Sequence, residues 1–112
     1  MREAQIVMPT SDAIDRRVHA ALRSDLVQAF EGVTVTTGHG VWHDPAPGGR
    51  TYHDDLILYT VAMEPTVGND AKLDEIAFKH GLAASQAAVY VRHASGEVVI
   101  IDLVGERKIG AS

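Results

Sequence analysis

The chain reads as a single α+β domain in which one antiparallel sheet carries two helices on one face. Three observations lead there. Two segments repeat apolar residues at helical spacing, and five others are short apolar or alternating runs of strand type. These segments follow one another as β-α-β-β-α-β with an extra C-terminal strand. The length, 112 residues, suffices for one modest core but not for two, so residues 1–112 form one domain.

The first strand is EAQIVMP, with an apolar centre at Ile6, Val7 and Met8 and a stop at Pro9. The period then changes. Ile14, Val18, Leu22, Leu26 and Phe30 recur every four residues and make one apolar stripe along a helix. Thr10, Ser11 and Asp12 offer caps at its start, and Gly32 lies just past its end. VTVTTGHGVWH returns to alternation and β-branched residues, which predicts a second strand. DPAPGG breaks it with two prolines and two glycines. TYHDDLILYTVAM is the third strand. EPTVGND is a loop that supplies Asn69 or Asp70 as a cap for a shorter helix, with Leu73, Ile76 and Ala77 on one face and Gly81 at its end. QAAVYVRHASGEVVIIDLVG folds back on itself around HASGE as two strands, and ERKIGAS is a frayed tail.

Right-handed crossovers put both helices on the same side of the sheet when the second and third strands form a hairpin, which is the split β-α-β arrangement of ferredoxin-like domains. The other face of such a sheet should meet water and alternate apolar with polar. LILYTVAM does not. It sets Leu56, Leu58 and Ala62 on one face and Ile57, Tyr59, Val61 and Met63 on the other, and VVIIDL is likewise apolar on both sides. A contiguous exposed apolar face is unusual on a soluble monomer, so a second copy is expected to cover it, in a dimer or a small ring.

Composition removes several classes of function. A net charge of −5 and the lack of a basic stripe argue against nucleic-acid binding, which relies on Lys and Arg at phosphates. There is no cysteine, hence no disulfide and no thiolate site. No apolar run approaches the length that crosses a bilayer, and the start of the chain has no secretory signal pattern, so the expectation is a cytoplasmic protein without a membrane partner.

GHGVWHDPAPGGRTYHDD concentrates three of the six histidines and the only tryptophan. A hairpin centred near Gly48 sets His43 opposite His53, with Asp55 close behind and His39 on the same face. Trp42 points the other way, beside Gly38 and Gly40, where Tyr52 and Leu56 complete an apolar wall. The candidate ligand-binding set is therefore His39, Trp42, His43, Tyr52, His53 and Asp55. Three readings stand side by side: a solvated hairpin tip, a small-molecule or anion pocket, and a His/His/Asp site for a transition metal. No cofactor or metal is assigned. The remaining histidines take structural places, His19 on the exposed helix face among arginines, His80 toward the sheet near a helix end, and His93 at the opening of a turn.

The element order resembles the broad ferredoxin-like group that includes the PII signalling proteins, the CutA-type trimers and the dimeric α+β barrel mono-oxygenases. That resemblance implies paired sheets or a hairpin extended between subunits, and it carries over no catalytic residue. The expected function is a small oligomeric binding or regulatory module with a small-molecule ligand near the hairpin. The alternatives are a small enzyme using His53 or His80 as general base beside Trp42 and a protein–protein interaction module.

Overall fold

The computed structural model describes residues 1–10, 14 and 16–103. Its elements are β1 (Arg2–Thr10), α1 (Arg16–Phe30), β2 (Thr34–His43), β3 (Thr51–Met63), α2 (Val67–Ala83), β4 (Ala88–Arg92) and β5 (Val98–Asp102). The strands form one sheet in the order β2-β3-β1-β4-β5, with every neighbouring pair antiparallel. This is the α+β class the sequence predicts, consistent with a ferredoxin-like arrangement to which β5 adds an outer strand. Ser11 and Asp12, named as caps, and the tail ERKIGAS lie outside the described residues.

The core lies between the helices and one face of the sheet. Ala4, Ile6 and Met8 of β1 face it, with Tyr59, Val61 and Met63 of β3 and Val89 and Val91 of β4. From above, α1 contributes Leu22 and Leu26, and α2 contributes Leu73 and Ala77. Each fully buried leucine contributes about 1.5–3 kcal/mol by removing its side chain from water. Gly81 is not the end of α2. It sits inside the helix where a Cβ would come within 2.5 Å of Val89 and 2.7 Å of Leu103, so its missing side chain sets how closely α2 approaches β4.

Local chemistry explains the helix ends. Thr66, rather than Asn69 or Asp70, caps α2, its hydroxyl accepting from the Asn69 amide at 3.1 Å. At the end of α1 it is Glu31, not Gly32, that turns into the left-handed region, with φ 73°. Its N–H still donates to the Val27 carbonyl at 2.8 Å, closing the last turn. The two helices are tied by Asp25, which accepts from His80 Nε2 at 2.7 Å and from Lys79 Nζ at 3.1 Å. The His80 hydrogen bond, with that of Lys79, holds the Asp25 carboxyl below the usual carboxylate range.

His19 departs from the sequence expectation. It is only 6% exposed and points inward, its Nδ1 2.5 Å from the Tyr59 hydroxyl, while its Nε2 has no partner among the described residues. The buried Leu22 and Leu26 lie one and two turns of helix after His19 in the same stripe, so the apolar face of α1 includes it. Burial, and secondarily the nearby Arg23 charge, lower its pKa and keep the ring neutral.

Candidate functional site

The hairpin of β2 and β3 organises the site. Its loop closes through the Asp44 amide donating to the Arg50 carbonyl at 2.9 Å, and the Ala46 amide donates to the Asp44 carboxylate at 3.0 Å. That geometry sets the register one residue earlier than a centre at Gly48. His43 pairs with Thr51, Val41 with His53, and His39 with Asp55. His43 and His53 are thus not opposite one another. Shifting the turn centre by one residue moves the partner by two and leaves each side chain on its expected face.

The sheet divides the candidate set. His39, His43, His53 and Asp55 lie on one face of the hairpin, whereas Trp42 and Tyr52, a register pair, lie on the other with Asp54 and Leu56. On the histidine face, His39 Nε2 is 3.2 Å from His53 Nδ1, and His39 Nδ1 is 3.6 Å from Asp55 Oδ1. His43 turns away to the Thr51 hydroxyl at 3.1 Å. Neither His53 nor the buried His80 lies beside Trp42, so a histidine base next to that indole has no geometric support.

On the tryptophan face a cavity of about 370 Å³ opens. Its position follows from the ladder. β4 pairs with β1 only over Gln5–Val7, and beyond that point Pro9 has no N–H with which to continue. The chain at Gln86, Ala87 and Ala88 therefore stands off from Pro9, and Trp42 and Leu56 form the far wall. Tyr90, Ile100 and Val7 line the floor, and Asp54 is the one charged residue among the described residues of the lining. Gly40 allows this wall: a Cβ there would lie 2.8 Å from the Trp42 ring and 3.0 Å from Leu56. Tyr52 shares the face but does not line the cavity.

The helix-free face is apolar at this end and polar at the other. Val7, Leu58 and Tyr90 meet across three strands at one level, whereas Gln5, Thr60, Thr34 and Arg92 occupy the next, with Gln5 donating to the Thr60 hydroxyl at 3.1 Å. Near the cavity, Ile100 is 66% exposed and Trp42 46%. Apolar residues on both faces of β3 are thus present as the sequence indicates.

A second polar group gathers where β4 meets its turn. His93 is buried and its Nε2 lies 2.8 Å from Asp74 Oδ1, with Asp70 and Glu97 each 3.8 Å from its Nδ1. Burial of the ring disfavours its charge, yet the Asp74 hydrogen bond and the three carboxylates outweigh that and raise its pKa. The sequence gives no signal for this cluster, because α2 and the β4–β5 turn come together only in the fold.

No helix among the described residues is long and apolar enough to cross a membrane. No protein-family model matches the chain, and no curated protein matches it in sequence. Two solved structures share its fold. A phage SAM lyase in the apo state superposes with a TM-score of 0.66 at 11% identity, covering 89% of this chain and 87% of that one. A phage SAM lyase in complex with S-methyl-5'-thioadenosine gives a TM-score of 0.63 at 11% identity, covering 89% and 88%. At that identity the likeness is one of fold.

Proposed function

We propose that this chain is a small-ligand-binding module, that its site is the cavity between Trp42, Pro9 and Ala88, and that the ligand is an adenosine thioether or sulfonium. The cavity carries the reading: about 370 Å³ of mostly apolar space beside the Asp54 carboxylate falls in the size range of small-molecule sites, which runs from about 300 to 1,000 Å³. Trp42 and Tyr90 offer aromatic surface to a purine. Asp54 can accept hydrogen bonds from ribose hydroxyls or face a cationic sulfur, and the Gln86 amide supplies a second polar handle. The fold shared with a phage SAM lyase that binds S-methyl-5'-thioadenosine supports this ligand class over others of the same size.

The module works as a homo-oligomer in the cytoplasm. A second copy laid on the apolar end of the helix-free face would cover Trp42 and Ile100 and close the open side of the cavity. The acidic, cysteine-free composition suits that compartment.

Calorimetric titration with S-methyl-5'-thioadenosine and with SAM tests the ligand. Binding of either, weakened at least tenfold by Trp42→Ala and by Asp54→Asn, is the expected result; no heat with both compounds at millimolar concentration rejects the ligand class. Mass spectrometry of the SAM mixture separates a binder from an enzyme, since turnover would convert SAM to a product of different mass. Light scattering tests the assembly independently: a strict monomer that still binds would remove the oligomer and keep the site.

A further inference from the structure

We propose that His39 and His53 form a cross-strand clamp for a divalent transition-metal ion, Zn²⁺ foremost, on the hairpin face turned away from the cavity. The geometry carries this. Zn–N bonds of about 2.0–2.1 Å at a tetrahedral angle place two ligating nitrogens about 3.3 Å apart. His39 Nε2 and His53 Nδ1 are 3.2 Å apart, and the rings, with centroids at 5.4 Å and planes tilted by 33°, already turn these two nitrogens toward each other. Two facing imidazole nitrogens hold one hydrogen between them. A metal ion takes its place when that hydrogen moves to the far nitrogen of its own ring, so both rings ligate in their neutral form with no net proton lost.

The surroundings fit the same role. Asp55 Oδ1 stands 3.6 Å from His39 Nδ1, beyond hydrogen-bond length but on the non-ligating side of the ring, where its negative charge favours a hydrogen on that nitrogen and a small side-chain turn would let it accept that hydrogen. The ladder that pairs His39 with Asp55 and Val41 with His53 holds the two backbones, so little order remains to be imposed when a metal arrives. The His39 side chain is 55% exposed, which leaves the site open to solvent. Among the described residues no third His, Cys, Asp or Glu joins the pair in a ready-made metal cluster. The clamp therefore leaves coordination positions for water or for a ligand from outside the chain, and the ion it holds is exchangeable rather than structural.

The test uses the chain without an affinity tag, with Zn²⁺ added alone. Zn²⁺ should raise Tm by a few degrees in a dose-dependent way, with one ion bound per chain by titration and full reversal by EDTA. His39→Ala and His53→Ala should each abolish the shift, and Asp55→Asn should weaken binding about tenfold, the lower end of what loss of such a partner costs. His43→Ala, whose ring turns to Thr51, should bind as the parent does. Because these side chains sit at the surface, circular dichroism should show every variant folded. Absence of any shift or bound Zn²⁺ in the parent overturns the proposal, as does a shift that survives in either His39→Ala or His53→Ala, or one that is lost in His43→Ala.

Discussion

Tyr59→Phe puts a number on the buried polar contact between α1 and the sheet. The substitution keeps the ring, which is fully buried, and deletes only the hydroxyl that meets His19 Nδ1 at 2.5 Å. His19 Nε2 already lacks a partner among the described residues, so the variant leaves both ring nitrogens without one inside the core. A buried polar group stripped of its partner costs about 1–3 kcal/mol. For a domain of this length each kcal/mol moves Tm by about 4 °C, so the expected fall is about 4–12 °C. Combining Tyr59→Phe with His19→Leu removes both ends of the contact and should recover at least half of that loss, because the buried pair is then apolar and Arg23, the other hydrogen-bond partner of the Tyr59 hydroxyl, is exposed and can turn to water. Thermal unfolding followed by circular dichroism measures all three variants. A Tyr59→Phe protein as stable as the parent, or a double variant whose loss equals the sum of the single losses, would refute the reasoning.

Two histidines displaced in opposite directions should also make stability fall off toward both acid and alkaline pH. His93, its pKa raised, adds stability that is complete below the unfolded value of 6.5 and is lost as pH rises through the folded value, whereas His19, its pKa lowered, adds stability present above 6.5 and lost as pH falls through the folded value. His93→Asn should flatten the alkaline side of a Tm-against-pH curve, and an unchanged alkaline slope would show that the carboxylates around it are idle. Gly81→Val should lower Tm by about 4–12 °C, since overpacking a close helix–strand contact costs about 1–3 kcal/mol; a neutral result would mean that α2 can lift off β4 freely. Gly40→Val, by contrast, should leave Tm within a few degrees while pushing Trp42 into the cavity, so it should weaken S-methyl-5'-thioadenosine at least tenfold in the same calorimetric titration, and unaltered affinity would place the ligand elsewhere.

Local signals were legible where one segment carried them. The four-residue recurrence of Leu22 and Leu26 identifies α1, and the doubly apolar run of β3 places residues on both faces of the sheet, because periodicity is a property of a single stretch. Parity along the hairpin was equally readable, so the separation of Trp42 from the histidines follows from the sequence. The register was not. It depends on how Asp44 and Arg50 close the loop, which composition does not encode to within one residue. What escaped entirely was built from distant segments. His19 lies among arginines in sequence, yet its neighbour in space is Tyr59, 40 positions away. The cavity likewise depends on the ladder between β1 and β4 ending at Val7, where Pro9 and Ala88 part.

The alternation of the β2–β3 ribbon has one more consequence. Odd-numbered and even-numbered positions of β2 look out on opposite sides of a layer one backbone thick. A replacement at position 39 can therefore alter the imidazole side without disturbing the indole side, and a replacement at position 42 can do the reverse. The two sides of the same twenty-odd residues can thus be altered one at a time, coupled only through the main chain they share.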